Sequence, residues 1–259
     1  MDKLEGPIQS VARAITIMEA LLREPELGVS ELGVVLGLGK STVYRLLSTM
    51  KVHGLVDQTP SGKYRLGIRL SIYGDTAVSR IDLRKEAAPF LAKLAKISGE
   101  NVSLAILDDF QVLYIDRIDS SEPLRMRRTI GERSPVFCVS LGKAILANLP
   151  GKKLEKIFAD PRIQTMMAAY TEKTITDLGA LRLELERIKQ LGYAVDDEEY
   201  CRGVRCIGAP VFNHLGMVVA AVSTSGPSIR MTDDKITQLI PHVKEVAQEI
   251  SRHIGYRTS

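Results

Sequence analysis

The C-terminal half of the sequence carries polar residues whose types and spacing suit the binding of a small carboxylate. Ser223 and Ser225 are two residues apart in a predicted strand, so both hydroxyls lie on one face and can donate hydrogen bonds. Cys206, on a neighbouring predicted strand, offers a small and soft contact. Ser140 and Leu141 begin a predicted helix, and free N–H groups at a helix start attract a carboxylate. We expect these residues to form an anion pocket.

Asp196 is the acidic member of this group of residues. A carboxylate repels an acidic ligand, so we expect Asp196 to accept a hydrogen bond from a ligand hydroxyl or to orient a donor. Each residue also has a purely structural interpretation, in which the two serines end a strand and Cys206 is a small buried side chain. The acids at 197–199 fit a solvated turn that pairs with Arg202 and Arg205.

The candidate catalytic and metal-binding motifs of the sequence lack the residues or the spacing that such sites require. The GKA run at 142–144 has Phe137 where a P-loop needs its first glycine, and alanine replaces the hydroxyl that binds Mg²⁺. No histidine stands in a recognisable relation to Cys206, which argues against a nucleophile. Cys201 and Cys206 form one CxxxxC pair without a second pair, which is a weak zinc signal. We therefore expect no catalysis, no metal and no cofactor.

The N-terminal part of the chain carries a local excess of positive charge. Between Leu38 and Arg69 there are six Lys or Arg residues and one Asp, a pattern that a solvated basic face would also show. A helix predicted from Gly39 turns its apolar residues inward and leaves hydroxyl, phenol and basic groups outside, where they can reach phosphates and base edges of DNA. The expected DNA-binding residues are Lys40, Ser41, Thr42, Tyr44 and Arg45 of this helix, and Lys63 and Arg65 of a following hairpin.

Helix and turn signals place these residues in a winged helix-turn-helix. Gly28 is a suitable N-cap for a short second helix, and Gly37 ends it about three residues before the next helix begins. A hairpin placed directly after that third helix is a wing, whose basic tip can contact the backbone or the minor groove. The predicted elements are helices over 10–22, 29–36 and 39–50, a strand that begins at 55–56, a strand at 63–66, and a linker helix over 68–80.

Beyond residue 82 the pattern alternates between strands and helices, which indicates an antiparallel sheet with helices on its faces. A helix over 82–97 contains Pro89 in its first turns, where proline is tolerated. Thr232 is a good N-cap for a final helix to about residue 254. The other predicted elements are strands over 102–107, 111–118, 124–129, 193–195, 204–212 and 217–224, and helices over 140–149, 154–159 and 177–191.

Length and composition fit a globular protein of two domains in the reducing cytosol. A chain of 259 residues with 45% apolar and 25% charged residues can bury two cores. Cys138, Cys201 and Cys206 follow no secretory signal, so we expect no disulfide framework. Charges or glycines interrupt each apolar run before the roughly 18 residues that cross a bilayer. We expect a cytoplasmic protein that does not interact with membranes.

Six sequence motifs resemble the IclR family of bacterial regulators, and together they extend over essentially the whole chain. They are SVARA at 10–14, GLGKSTVYRLL at 37–47, YRLG at 64–67, LGKA at 141–144, DDEEYCRGVRCIGAPV at 196–211 and VSTSGP at 222–227. The resemblance implies the α+β class, with a winged helix-turn-helix DNA-binding domain at 1–67, a linker helix at 68–81 and a GAF-like α/β sensing domain at 82–259. It also implies that Asp196, Cys206, Ser223 and Ser225 contact a small organic acid.

The resemblance further implies a ligand-responsive transcriptional regulator that binds double-stranded operator DNA. The linker helix would carry motion between the domains, and paired DNA-binding domains make a homodimer or homotetramer the expected assembly. The sequence does not separate repression from activation, and repressor is the class that we assign from the resemblance. The rival hypotheses are a small-molecule sensor whose winged helix docks a protein partner, and an enzyme. DNA binding through phosphates would weaken steeply with salt, whereas a mostly apolar protein contact need not.

Overall fold

The computed structural model describes residues 8–79, 81–126 and 128–257. The chain divides into two compact units, Met1–Ile81 and Asp82–Ser259. Residues 1–7 of the first predicted domain, Arg80 of the predicted linker helix, Arg127 of a predicted strand and residues 258–259 lie outside the described residues. Within the described residues, no helix combines the length and the apolar character needed to cross a membrane.

The first unit contains three helices, a β-hairpin and a fourth helix. The helices bury Ile17, Leu32 and Val43 in a shared core, to which the hairpin adds Tyr64. The two strands pair antiparallel, with Asp57 opposite Arg65. The predicted winged helix-turn-helix is therefore confirmed. Its elements are α1 (Gln9–Arg23), α2 (Val29–Leu36), α3 (Lys40–Val52), β1 (Val56–Gln58), β2 (Tyr64–Leu66) and α4 (Arg69–Ser79).

Two glycines fix the ends of α2. Gly37 has a φ of +62°, in the left-handed region that a residue with a Cβ atom adopts only at a cost, and this conformation turns the chain into α3. At the start of α2 the Gly28 N–H donates to Glu31 Oε2 at 2.6 Å. The predicted strand from Lys63 begins one residue later, at Tyr64, and the Lys63 carbonyl accepts from the Thr59 N–H across the turn at 2.8 Å.

The second unit is built on a six-stranded antiparallel sheet in the order β5-β4-β3-β8-β7-β6. The strands are β3 (Asn101–Asp108), β4 (Gln111–Ile118), β5 (Arg133–Pro135), β6 (Ala194–Asp197), β7 (Val204–Phe212) and β8 (Val218–Pro227). The helices are α5 (Leu83–Ser98), α6 (Ser140–Leu146), α7 (Gly151–Phe158), α8 (Arg162–Met166), α9 (Leu178–Leu191) and α10 (Asp233–His253). This mixed architecture confirms the predicted α+β class.

The two faces of the sheet carry different side chains because residues alternate along each strand. Val102 and Leu104 of β3 belong to a core with α5 and α10. A second core forms around α6, α7 and α9, with Ala105 contributed by β3. Ser103 lies between the residues of the first core and lines a pocket with α6. The polar positions of the central strands therefore face the α6 side.

The strand predicted over 124–129 is wrong. The described residues of that stretch form bends and coil, because side chains rather than a neighbouring strand bind their carbonyls. The Leu124 carbonyl accepts from Arg230 Nη2 at 2.9 Å, and the Met126 carbonyl accepts from Asn101 Nδ2 at 3.0 Å. The edge strand beside β4 is the unpredicted β5, and α8 was also not predicted. The predicted helix 140–149 ends at Leu146, and the one predicted from 154 begins at Gly151.

Candidate functional site

The sheet register brings the polar residues of five strands together on one face. Ser223 of β8 lies opposite Ser103 of β3, and Ser103 lies opposite Arg117 of β4. In the next polar row, Ser225 lies opposite Cys206 of β7, which lies opposite Asp196 of β6. Residues paired in this way have their side chains on the same face of a sheet. Two adjacent rows of polar groups therefore form one surface.

This surface is the floor of a pocket that contains all six predicted ligand-binding residues. The pocket contains about 450 Å³ of empty space, a volume that includes open solvent at its mouth. The predicted residues that line it are Ser140, Leu141, Asp196, Cys206, Ser223 and Ser225. The structure thus brings the six residues together, and their contact with a ligand stays a prediction.

The start of α6 approaches the sheet closely because two positions lack a side chain. A Cβ atom on Gly208 of β7 would lie 2.9 Å from the Ser140 carbonyl carbon, and one on Gly142 would lie 1.9 Å from the Val136 oxygen. Ser140 and Leu141 are both buried. Of the described residues, none accepts a hydrogen bond from the N–H groups of Ser140 and Leu141. Because α6 has only seven residues, its dipole is a minor attraction for an anion.

Two arginines that the sequence analysis did not single out also line the pocket. Arg117 is on β4, and Arg128 is in the segment between β4 and β5. Both guanidinium groups are nearly buried, with exposed side-chain fractions of 8% and 11%. Each has one carboxylate partner, Asp119 for Arg117 and Glu132 for Arg128, and the positive charge of the two guanidinium groups favours an anion in the pocket. Their signal in the sequence was weak, because the segment around Arg128 resembled a strand.

A buried acidic cluster adjoins the same pocket. Lys143 of α6 is buried and forms an ion pair with Glu199 Oε1, while Asp196 Oδ1 accepts from the Glu199 N–H at 2.8 Å. Burial, followed by the neighbouring Glu199 carboxylate, raises the pKa of Asp196 to about 7, although Lys143 opposes this shift. Asp196 is therefore divided between its neutral and charged forms at neutral pH. It can accept a hydrogen bond from a ligand hydroxyl, and when protonated it can also donate one.

The three cysteines of this unit are free thiols, and burial makes two of them, Cys138 and Cys206, poor nucleophiles. Burial and then the Asp196 carboxylate raise the pKa of Cys206 well above its ordinary value, so its thiol is neutral. Burial likewise raises the pKa of Cys138 to about 12. A neutral thiol is a poor nucleophile. Within the described ranges, no three His, Cys, Asp or Glu side chains come together as metal ligands would.

The outer face of α3 presents the residues predicted to contact DNA. Val43, Leu47 and Met50 are buried, and Leu46 packs against the same core. Tyr44, Arg45 and Thr49 between them are exposed. Thr42 is half-buried, and Lys63 lies 3.8 Å from the Glu31 carboxylate. The exposed members are Lys40, Ser41, Tyr44, Arg45, Lys63 and Arg65. The structure therefore places all seven residues in the winged helix-turn-helix, and contact with DNA stays a prediction.

The same surface includes α1 residues that the sequence analysis did not assign to a site. Ser10 and Arg13 line a shallow groove with Thr42, Tyr44 and Arg45. Arg13 adds a positive charge beside the face of α3. The SVARA run was recognised as a motif, but its position beside α3 depends on how α1 packs in the three-helix core.

Comparisons with known proteins match both units. The model of the IclR helix-turn-helix domain matches residues 10–60, and that of the bacterial transcriptional regulator IclR C-terminal region matches residues 75–252. The Escherichia coli regulator KdgR is 35% identical over 257 residues, which cover 99% of this chain and 96% of KdgR. The E. coli repressor AllR is 32% identical over 251 residues, which cover 96% and 91% of the two chains.

A solved structure shows the same relationship. The crystal structure of the Thermotoga maritima IclR superimposes with a TM-score of 0.63 at 32% identity, covering 96% of this chain and 99% of that one. These relatives are named as regulators, and one is named as a repressor. The chain is a ligand-responsive, DNA-binding regulator rather than an enzyme. It belongs to the IclR family of bacterial transcriptional regulators.

Proposed function

We propose that this regulator binds operator DNA through α3 and the hairpin, and that a small organic acid in the pocket of the second unit changes this binding. The observation that carries the effector assignment is the convergence of six predicted residues, from four separate segments of the chain, on one pocket. In this proposal, residues 1–67 bind DNA and residues 82–259 sense the acid. Residues 68–81 link these two domains, and the protein acts in the cytoplasm.

A thermal-shift screen tests the effector class. A ligand that binds only the folded state raises the melting temperature by linkage. The screen would cover pyruvate, glyoxylate, sugar acids and aromatic acids, each beside a neutral compound of similar size. We expect at least one acid to raise the melting temperature in proportion to the logarithm of its concentration. A response to neutral compounds alone would contradict the proposed effector class.

Two substitutions test the DNA-binding surface. Arg45→Ala should weaken binding by about 1–3 kcal/mol if Arg45 reads a base, whereas Lys63→Ala should weaken all sequences alike and lower the salt slope by about 1. The operator would be selected from a random DNA pool with the full-length protein, and affinities measured by gel shift at several salt concentrations. Lys152→Ala removes one exposed positive charge from the second unit and is the matched control.

The outcomes of that experiment separate DNA from a protein partner. Phosphate contacts release counterions, so affinity for DNA must fall steeply as salt rises. Unchanged operator affinity in both Arg45→Ala and Lys63→Ala would contradict the assignment of this surface. A winged helix that selects no DNA sequence and binds without salt dependence would instead favour the protein-docking hypothesis.

We also propose that the regulator is a homodimer or a homotetramer. One winged helix reads only a few base pairs, and two-fold pairing over two half-sites supplies the missing affinity and specificity. The outward face of α1 is apolar, with Val11 and Ile15 about half exposed, and α4 adds the exposed Ile72. Such a face is favourable to cover in an assembly.

Charge on the apolar face of α1 should break the assembly. We expect Val11→Glu with Ile15→Glu to shift the protein toward monomer in sedimentation equilibrium and to weaken operator binding, because charged groups oppose burial. The selected operator should be nearly palindromic. A parent protein that is monomeric at working concentration, yet binds the operator specifically, would count against this proposal.

A further inference from the structure

The segment that joins β4 to β5 presents a cationic side chain to the pocket. Arg117 of β4 holds this segment, since its Nη2 donates to the Met126 carbonyl at 3.0 Å and its Nη1 donates to the Arg128 carbonyl. The Leu124 carbonyl accepts from Arg230, whose guanidinium pairs with the buried Glu100. These contacts fix the backbone from which the Arg128 side chain enters the pocket.

The guanidinium of Arg128 lies between two aromatic rings. Its central carbon is 5.0 Å from the ring centroid of Tyr114 and 5.1 Å from that of Tyr200, which are cation–π distances. Its Nη1 donates to Glu132 Oε1 at 3.0 Å and to Ser134 Oγ at 2.7 Å. Of the described residues, none accepts a hydrogen bond from its Nε or Nη2. The group is thus held in one orientation with donors still available.

Arg117 supplies a second and independent sign of a ligand. Its side chain is more than nine-tenths buried and lines the pocket, and its Nε has no hydrogen-bond acceptor among the residues that the structure describes. A buried donor without an acceptor carries its full desolvation penalty. An oxygen atom of a bound molecule would remove this penalty.

The charges of the two arginines are separated from those of their partners. Arg117 pairs with Asp119 and Arg128 pairs with Glu132, and both carboxylates are much more exposed than the guanidinium groups. Solvent screens the exposed carboxylates more than it screens the buried cations. The two guanidinium groups therefore keep a positive electrostatic potential inside the pocket, which attracts an anion.

We propose that Arg117 and Arg128 bind the carboxylate of the effector, while the serine pair of β8 binds a second oxygen atom at its other end. This assignment rests on the proposed function. Arg117 and Ser223 are separated by one strand, so their Cα atoms are about 10 Å apart, and the pocket lies above the sheet between them. The effector is thus an acid that carries a second oxygen atom away from its carboxylate, as keto and hydroxy acids do.

The test compares acids with their amides by calorimetry on the full-length protein. The probes are pyruvate, glycerate and gluconate, each beside its primary amide, which keeps the shape and removes the charge. We expect the parent protein to bind at least one acid on the order of 10- to 100-fold more tightly than its amide. Arg128→Gln and Arg117→Gln should each lose a similar factor for the acid and most of the preference over the amide.

Two further variants complete the design. Arg128→Lys keeps the charge and should retain part of the preference for the acid. Arg125→Gln is the matched control from the same segment, because Arg125 is exposed, donates only to the Glu122 carbonyl and does not line the pocket. We expect Arg125→Gln to bind like the parent. Melting temperatures of all variants would show that they are folded.

The outcomes separate this inference from the proposed function. If the glutamine variants bind the acid as tightly as the parent, or if the parent binds amide and acid equally, the arginines do not hold the carboxylate. The proposal that this pocket binds the acid would then be tested separately, by replacing Ser223 and Ser225 with alanine. If the parent binds none of these acids or any acid of the thermal-shift screen, the proposed effector class fails, and this inference fails with it.

Discussion

Replacing Ser223 and Ser225 together by alanine should abolish the response to the effector while leaving operator binding intact. Each hydroxyl is expected to donate to an oxygen atom of the acid, and the net value of such a hydrogen bond is about 0.5–1.5 kcal/mol. Loss of both should raise the dissociation constant of the acid on the order of 10- to 100-fold. Calorimetry measures the affinity for the acid, and gel shift measures binding to the operator.

The strand itself provides a matched control for this double substitution. Thr224 lies between the two serines on the opposite face of β8, and its buried hydroxyl has no hydrogen-bond partner among the described residues. Thr224→Val removes a hydroxyl without removing a pocket contact, so affinity for the acid should not change. A double serine variant that binds the acid as tightly as the parent would show that the pocket lies elsewhere.

Asp196→Asn should make the protein more stable above neutral pH. The pKa of Asp196 is about 7 in the folded protein, against an ordinary value of 3.8. Between these values the unfolded chain releases the proton while the folded protein keeps it, so the stability that this carboxyl contributes at low pH is lost as pH rises through 7. Asparagine cannot ionise and avoids this loss.

Urea unfolding at pH 5 and pH 8 measures this effect. The stability of the variant relative to the parent should rise by about 2–3 kcal/mol between these two pH values, from about 1.4 kcal/mol for each unit of pKa difference. The ionisable groups that interact with Asp196 are all retained in the variant; they are Glu199, Lys143, Cys206, Cys138 and Tyr114. A stability difference that is the same at pH 5 and pH 8 would contradict the raised pKa.

Local signals in the sequence predict the first unit well. The helical spacing of residues such as Ile17 and Val43 and the glycine at position 37 determine the three helices and the turn, and each signal acts within a few residues. The two serines of the pocket could also be predicted from the sequence, because alternation along a strand places Ser223 and Ser225 on one face. The assignment of Asp196 and Cys206 to the same pocket depended on the resemblance to a known family.

The features that the sequence analysis missed depend on contacts between distant residues. Arg117 and Arg128 meet because side chains of β4 and of the loop between β8 and α10 bind the carbonyls of Leu124, Met126 and Arg128. The pattern of that stretch suggested a strand, and nothing local shows that arginine side chains replace a strand neighbour. Lys143 and Glu199 are 56 residues apart, so their buried ion pair has no local signature either.

The proposal that an organic acid controls operator binding is tested most directly by measuring the reciprocal coupling between acid and operator. A ligand alters an equilibrium only through its different affinity for two states, and the coupling must be equal in both directions. Operator affinity would be measured with and without saturating acid, and acid affinity with and without saturating operator. We predict that both affinities change by one common factor, of roughly 5- to 150-fold. Tight binding of the acid with no change in operator affinity would contradict this prediction.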